Sequence, residues 1–141
     1  MEWMHPEGYW ASDERTQVDV SVVHRWLSTL SYWAQGRSYE VVARSIDESL
    51  PLGLYRPDGA QAGFCRWVSD YSTFAWLGDV FLDPDLRGAG LGKFLVQTAT
   101  DHPAIRDVPL QLLGTRDAHG LYRQYGFVTV PEPERWMERR P

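Results

Sequence analysis

Ten residues near the middle of this 141-residue chain, Asp83-Pro84-Asp85-Leu86-Arg87-Gly88-Ala89-Gly90-Leu91-Gly92, join two segments of contrasting pattern. The segment before them, 74–82, is nearly apolar throughout, which is typical of a central strand covered on both faces. In the segment after them, one face at helical spacing is formed by Leu91, Phe94, Leu95 and Thr98. The sequence therefore predicts a strand, a glycine-rich loop and a helix in direct succession.

The glycine-rich loop has the chemistry of an anion site. Its glycines at 88, 90 and 92 let the backbone approach a ligand closely, and the first N–H groups of the following helix have no partner within that helix. The positive end of the helix dipole also favours an anion there. The pattern predicts a phosphate or pyrophosphate site, and the alternative is a tight strand-to-helix turn without a ligand.

Two common nucleotide motifs do not fit this loop. A dinucleotide fingerprint needs G-x-G-x-x-G in a parallel strand-helix-strand unit, and the order of elements here is different. A nucleoside-triphosphate loop ends in Gly-Lys followed by Ser or Thr, whereas Gly92-Lys93 is followed by Phe94. The loop therefore belongs to neither class.

The rest of the chain predicts helices and strands that do not form a strict strand-helix repeat. Helical spacing predicts one helix from Asp19 to about Leu30 and another from Tyr39 to Leu50. Further patterns predict hairpin strands at 52–56 and 63–68, a strand at 109–113, a short helix at 118–125 and a last strand at 127–130. This order predicts an α+β fold in which helices cover a mixed sheet. We expect one domain over 1–141, with its core over about 18–130 and an extended tail over 131–141.

Two motifs give the chain a resemblance to a known family, the Gcn5-related N-acetyltransferases (GNAT). The stretch 83–92 matches every defined position of the family hallmark, Arg/Gln-x-x-Gly-x-Gly/Ala after a strand and an Asp-Pro turn. The stretch Leu121-Tyr122-Arg123-Gln124-Tyr125-Gly126-Phe127 is similar to the family's Tyr-x-x-x-Gly-Phe. Residues 115–122 also look like a bacterial subgroup of uncharacterised acetyltransferases. The resemblance implies a mixed, mostly antiparallel central sheet flanked by helices.

The resemblance also implies acetyl-coenzyme A as co-substrate, with no metal. The backbone of Val80, Phe81 and Leu82 would then pair with the pantetheine arm like an added strand, as amide-bearing ligands do at strand edges. The pyrophosphate would lie on the loop residues Arg87, Gly88, Ala89, Gly90, Leu91, Gly92 and Lys93. Thr115 stands where many relatives carry a coenzyme-contacting asparagine.

Two residues are candidates for proton transfer. Tyr122 takes the place of the tyrosine that protonates the departing thiolate in many family members, and its alternative is a packing role on a short helix. Asp79 lies just before the segment expected to pair with pantetheine, where a carboxylate can accept a proton from the attacking amine. The alternative for Asp79 is a structural hydrogen bond.

The acceptor site is expected between the first two helices. Tyr32, Trp33 and Arg37 lie in that connector, which lines the acceptor site in the family, and the alternative is that they cap the core. We expect a small molecule or a peptide with an amine as acceptor. The function implied is N-acetyl transfer by direct attack on acetyl-coenzyme A, and the alternative is a non-catalytic module that binds or senses this coenzyme.

Composition narrows the remaining classes. The net charge of −5 argues against a nucleic-acid binder, which needs clustered Lys and Arg. No apolar run approaches the roughly 20 residues of a membrane span, and Cys65 is the only cysteine, so neither an intrachain disulfide nor a multi-cysteine metal site can form. We therefore expect a cytoplasmic protein without a membrane or nucleic-acid partner. The Trp- and Pro-rich ends are compatible with a homodimer.

Overall fold

The computed structural model describes residues 1–141 and contains one six-stranded sheet with four helices. The strands are β1 (Glu2–Met4), β2 (Trp10–Ser12), β3 (Leu50–Tyr55), β4 (Gln61–Ser69), β5 (Ala75–Leu82) and β6 (Gln111–Leu113). The helices are α1 (Val20–Arg25, continued by a π-helical turn over Trp26–Leu30), α2 (Tyr39–Asp47), α3 (Leu91–Asp101) and α4 (His119–Arg123). Short 3-10 turns lie at Arg15–Gln17, Pro84–Leu86 and Pro133–Arg135.

The strands lie in the sheet in chain order, from β1 to β6. Every neighbouring pair is antiparallel except the last, in which β5 and β6 run parallel. Parallel neighbours require a crossover connection, and α3 supplies it between β5 and β6. The predicted α+β fold, a mixed and mostly antiparallel sheet with flanking helices, is confirmed.

Helices cover the sheet on both faces, so there are two apolar cores. The larger one lies between α3 and the sheet, where the buried Trp67 indole donates to the Ala99 carbonyl at 3.1 Å. The smaller one lies beneath α1 and α2, where the Trp26 ring stacks on Phe81 with centroids 5.4 Å apart. Because β5 supplies side chains to both cores, its position is held from both sides. None of the helices combines the length and the apolarity needed to cross a bilayer.

Strands β1 and β2 were not predicted from the sequence. Each contains three residues, which is too short for an alternating apolar pattern to emerge. They form because β3 offers a partner: Trp10 pairs with Tyr55 in the ladder, and the two rings stack at 4.5 Å. The ordered sheet therefore begins at Glu2, ahead of the core expected from about residue 18.

The predicted last strand at 127–130 is wrong. These residues pair with no strand, and Val128 is 76% exposed. Strand propensity expresses how well a side chain fits a half-buried, pleated surface, and β6 presents only three residues for such pairing. The pattern at 127–130 shows only that these residues have strand propensity. A strand did not form because β6 is too short to pair with them.

Candidate active site

The glycine-rich loop follows β5 and leads into α3. Gly88 and Gly90 have φ values of +90° and +78°, in the left-handed region that L side chains rarely adopt, and Gly90 is the residue that precedes the first turn of α3. A Cβ built on either residue, or on Gly92, would meet nothing within 4 Å. Backbone conformation therefore requires glycine at 88 and 90, and all three glycines leave open space above the loop, where a ligand can approach the chain.

Several N–H groups of the loop have no backbone acceptor. The first helical bond at this end of α3 runs from Phe94 N–H to the Gly90 carbonyl at 3.2 Å, so the N–H groups of Leu91, Gly92 and Lys93 remain free. Those of Gly88 and Gly90 are also unpaired within the backbone. Converging free donors at the positive end of an 11-residue helix form an anion-binding cradle.

Charged side chains frame this cradle. The Arg87 guanidinium lies 5.4 Å from the centroid of the Phe81 ring, an arrangement suited to a cation–π contact. Lys93 is exposed on the first turn of α3. On the approach to the loop, Asp83 accepts from the Asp85 N–H at 3.0 Å and from Arg56 at 3.1 Å. This anchoring fixes the entry of the Asp-Pro turn and thereby the direction of the loop.

Strands β5 and β6 separate halfway along β5. Their pairing ends at Leu77 opposite Leu113, whereas β5 continues to Leu82. The edge of β5 that faces β6 therefore has no strand partner over residues 78–82. An unpaired strand edge is a template for an extended, amide-bearing ligand. The predicted coenzyme contacts Val80, Phe81 and Leu82 all lie on this free edge, which leads to the glycine-rich loop.

A β-bulge on β5 re-aims its side chains at the same point. Arg66 pairs with Gly78 and Phe64 with Phe81, so Asp79 and Val80 together oppose the single residue Cys65. Asp79 has a φ of +53°, which is rare for a residue with a side chain. Asp79 faces α1 and α2, whereas Val80 packs on the opposite core.

The Asp79 carboxylate is the centre of a buried charge network. It is 7% exposed and accepts from Arg66 Nε at 2.7 Å, from Arg37 Nη1 at 3.0 and 3.1 Å, and from Trp33 Nε1 at 2.9 Å. Burial alone would raise the pKa of Asp79, but the charge and hydrogen bond of Arg66, with Arg37 and Trp33, hold it below its ordinary value. Asp79 is therefore a well-satisfied carboxylate, and such a group is a weak base.

Tyr122 lies on α4, across from the free edge of β5. It is 8% exposed and borders the space between the two separating strands. Burial, with smaller contributions from Cys65, Tyr32 and Asp117, raises the pKa of Tyr122 well above its ordinary range. The phenol therefore keeps its proton at neutral pH and can donate it.

Four predicted residues, Tyr32, Trp33, Arg37 and Thr115, connect separate segments around this space. The Tyr32 hydroxyl accepts from the backbone N–H of Arg116 at 2.9 Å, and the Arg116 guanidinium lies 3.9 Å from the centroid of the Tyr32 ring. Trp33 and Arg37 contact Asp79, as described above. Thr115 uses its hydroxyl to accept from the Ala118 N–H at 3.1 Å, at the turn that leads into α4. The α1–α2 connector is thus attached both to β5 and to the β6–α4 loop.

These segments enclose a cleft of about 820 Å³, here called the β5–β6 cleft. Its walls come from the α1–α2 connector, the separating strands, α4 and the segment at 138–140. It brings together Tyr32, Trp33, Arg37, Asp79, Val80, Thr115 and Tyr122, all of which the sequence predicted as site residues. The loop residues 87–93 lie beyond it, at the far end of the free β5 edge.

Arg66, Arg116 and Trp76 are among the residues of this cleft that were not predicted from the sequence. Arg66 and Trp76 lie on strands. The one signal in the sequence that their side chains point away from the main core is their alternation with apolar neighbours. Trp76 is 39% exposed, and its indole lies against Gly78 and Gly114, where β5 and β6 separate. Arg116 contacts Tyr32 across 84 residues of sequence, and no local pattern indicates such a contact.

The class of protein follows from this combination of fold and site. The family model of the acetyltransferase (GNAT) domain matches residues 52–129, which include both the glycine-rich loop and Tyr122. This range is more than half of the chain, and the chain therefore belongs to the GNAT acetyltransferase family. The resemblance drawn from the two motifs is confirmed.

Individual relatives agree with this assignment. A crystal structure from Xanthomonas campestris pv. campestris, described as a GNAT-family acetyltransferase, is 40% identical, has a TM-score of 0.91 and covers 99% of this chain and 96% of its own. The uncharacterised N-acetyltransferase ycf52 of Gracilaria tenuistipitata var. liui is 33% identical over 76 residues, which are 53% of this chain and 42% of that protein. This chain thus spans less than two thirds of that curated relative.

One structure with the same fold was determined with acetyl-coenzyme A bound to that protein. It is an acetyltransferase from Clostridium acetobutylicum solved with acetyl-coenzyme A, with 14% identity, a TM-score of 0.66, and coverage of 99% of this chain and 96% of that one. At this identity the similarity concerns the fold alone.

Proposed function

We propose that this protein transfers an acetyl group from acetyl-coenzyme A to an amine. The observation that carries the proposal is the continuous path along β5, from the bulge at Asp79, over the free edge at 80–82, to the unpaired N–H groups of the glycine-rich loop. A ligand with an amide-bearing arm and a pyrophosphate matches this path in both order and chemistry.

The residues that would hold acetyl-coenzyme A divide between the two parts of the path. The N–H groups of 88 and 90–93 are free to donate to the pyrophosphate, with the positive charge of Arg87 beside them. The backbone of Val80 and Leu82 would pair with the pantetheine amides. Because β5 has no strand partner on the β6 side beyond Leu77, a backbone N–H of this segment would be the group that polarises the thioester carbonyl.

Tyr122 is the proposed general acid. Its buried phenol borders the cleft and carries a proton at neutral pH, and this position supports the role, since the raised pKa by itself makes the phenol a weaker acid. No other residue has to supply this proton to Tyr122 before the reaction, because the phenol already carries it. The amine loses one proton to water, and Tyr122 regains one proton from water after it has protonated the thiolate, so the protons balance.

Asp79 is proposed here as an anchor rather than as a base. Its two oxygens already accept from three side chains, and its lowered pKa makes it a poor proton acceptor. The neighbouring Arg37 and Arg66 favour the neutral form of an amine bound near them, because a second positive charge there is disfavoured. An amine can thus lose its proton to water without a dedicated carboxylate base.

The experiment that tests the proposal is a thiol-release assay with acetyl-coenzyme A and a panel of amines, using the variants Tyr122→Phe and Tyr125→Phe. Under conditions in which chemistry limits the rate, we expect Tyr122→Phe to lower kcat by about 100-fold, the usual size of a general-acid contribution. Tyr125→Phe removes a hydroxyl from the same short segment and should keep wild-type turnover. Full turnover in Tyr122→Phe would contradict the assigned acid.

The second candidate function is a non-catalytic module that binds or senses acetyl-coenzyme A. The same assay, together with a binding measurement, distinguishes it from the enzyme. It predicts coenzyme binding without thiol release for every amine, and no effect of Tyr122→Phe on binding. The β5–β6 cleft supports the enzyme, since it also contains Trp33, Arg37 and Arg66, which lie off the path assigned to the coenzyme and have no role in a sensor of the coenzyme alone.

A further inference from the structure

The charge of the β5–β6 cleft differs from the charge of the chain. The whole chain carries a net charge of −5, whereas the cleft is lined by four arginines and three acids, which leaves a net charge of +1. The arginines are Arg37, Arg66, Arg116 and Arg140, and the acids are Asp79, Asp117 and Glu138.

The surplus positive charge lies around Asp79, Arg37 and Arg66, which are here called the floor of the cleft. Arg140 pairs with Glu138 at 3.1 Å, and Arg116 lies 3.7 Å from Asp117, so each of these acids has its own arginine near the rim. Asp79 alone is shared, between Arg37 and Arg66. One carboxylate therefore balances two guanidinium groups, both of which retain some exposure, at 25% and 17% of their side-chain area.

Both floor arginines keep unused hydrogen-bond donors. Arg37 contacts the carboxylate through Nη1 alone and Arg66 through Nε alone. The other guanidinium nitrogens of each have no acceptor in the protein, and both residues line the cleft. A guanidinium fork with free donors is suited to a planar or tetrahedral oxyanion, and aromatic rings of Trp33 and Trp76 border the same space.

We propose that the acceptor is an amine that also carries a carboxylate or phosphate group, which Arg37 and Arg66 bind. This proposal rests on the proposed acetyl transfer and specifies its substrate class. The charge of the cleft thus differs in sign from the net charge of −5 of the whole chain, which by itself would favour a cationic ligand. The anionic group would be held between Arg66 on β4 and Arg37 in the α1–α2 connector. The amine would then point along β5 toward Tyr122.

The test compares matched acceptors that differ in the anionic group. Glycine, β-alanine and 4-aminobutyrate would be assayed against their carboxamides, and ethanolamine phosphate against ethanolamine, with acetyl-coenzyme A held constant. We expect kcat/KM to be at least about tenfold higher for the anionic member of one or more pairs. Neutral or cationic members that react equally well or better would overturn the inference and leave acetyl transfer intact.

The variants Arg37→Gln, Arg37→Lys and Arg123→Gln assign the effect to the cleft. Arg37→Gln should bring the anionic acceptor down to the level of its carboxamide, and Arg37→Lys should restore part of the difference because it keeps the charge. Arg123→Gln changes the net charge equally at an exposed site outside the cleft and should have no effect. An equal loss in all three would contradict a role for the cleft arginines.

If no acceptor of the panel reacts, a binding measurement tests whether the cleft prefers a ligand with an anionic group. Calorimetry with the wild-type protein and coenzyme A would compare N-acetylglycine with N-acetylglycinamide and acetylphosphoethanolamine with acetylethanolamine. Tighter binding of the anionic compounds supports the proposal even without turnover, and equal or weaker binding refutes it. Failure of acetyl-coenzyme A itself to bind would refute the proposed function, which is a separate outcome.

Discussion

The glycine-rich loop and the β5–β6 cleft adjoin the same strand, but they are built from different parts of the chain. The loop over 87–93 presents the free backbone N–H groups of five residues, 88 and 90–93, and its conformation depends on left-handed glycines. The cleft presents side chains that come together from the α1–α2 connector, β4, β5 and α4. A site made of consecutive backbone can stay the same while a site made of distant side chains changes its ligand.

This difference predicts how substitutions act. Changes in the loop should affect the coenzyme and leave the acceptor unchanged, whereas changes in the cleft should affect the acceptor or the stability of the fold and leave the coenzyme affinity unchanged. Three features of the cleft test this separation. They are the buried ion pairs of Asp79, the contact between Tyr32 and Arg116, and the hydroxyl of Thr115.

The largest effect is expected for Asp79→Asn, which removes the carboxylate between two arginines. Breaking a buried ion pair leaves unmatched charge, and we expect the free energy of unfolding to fall by about 3 kcal/mol at pH 7. Urea denaturation measures it, with Asp58→Asn in the exposed hairpin turn as the matched control. A loss below 0.5 kcal/mol would show that the network contributes little.

The pH dependence of the same variant has a definite sign. Since the folded pKa of Asp79 is lowered, its contribution to stability is complete above the ordinary Asp pKa of about 3.9 and is lost as the pH falls toward the folded value. The stability difference between wild type and Asp79→Asn should therefore be constant from about pH 5 to 8 and shrink below about pH 4. A general base would instead give the kcat profile an acidic limb that disappears in the variant.

A smaller effect is expected for Arg116→Gln, which removes the guanidinium over the Tyr32 ring. This contact attaches the α1–α2 connector to the β6–α4 loop, and a cation–π contact contributes about 1 kcal/mol. We expect KM for the acceptor to rise by about fivefold while KM for acetyl-coenzyme A stays constant. Arg106→Gln, at an exposed site outside the cleft, is the control. A change in the coenzyme KM would mean that loop and cleft are not independent.

The smallest effect is expected for Thr115→Asn, which introduces the asparagine that the resemblance to the family leads us to expect at this position. The Thr115 hydroxyl already caps the turn at Ala118, and an asparagine side chain can accept the same hydrogen bond. We expect the affinity for acetyl-coenzyme A, measured by calorimetry, to change by less than about threefold. A large gain would identify a coenzyme contact that the threonine lacks.

The same contrast explains what could be predicted from the sequence. The loop, α3 and the strand before them follow from local signals, because glycine conformation and helix starts are properties of consecutive residues. The strand at 127–130 could not be assessed locally, since a strand exists only with a partner and β6 is three residues long. For β1 and β2 the opposite holds: their own patterns are too short, and they form because β3 pairs with β2 and β2 pairs with β1.

The candidate site divides in the same way. Tyr122 and the loop residues lie in recognisable motifs, and Asp79, Trp33 and Arg37 were predicted, although their mutual contact was not. Their separation of 42 to 46 residues leaves no local trace of that network. Arg66 was missed because a single arginine in an otherwise apolar strand gives no indication of the partner that it binds.

The most direct test of the central claim is a calorimetric titration with acetyl-coenzyme A of the wild-type protein and two glycine variants. Gly90→Asp places a side chain and a negative charge in the loop at a φ of +78°, and Gly59→Asp imposes the same kind of strain at a φ of +91° in the distant hairpin turn. We predict that wild type and Gly59→Asp bind, and that Gly90→Asp loses at least about 100-fold in affinity. A folded wild-type protein that does not bind, or a Gly90→Asp protein that binds as wild type does, would contradict the assignment of this loop to the coenzyme.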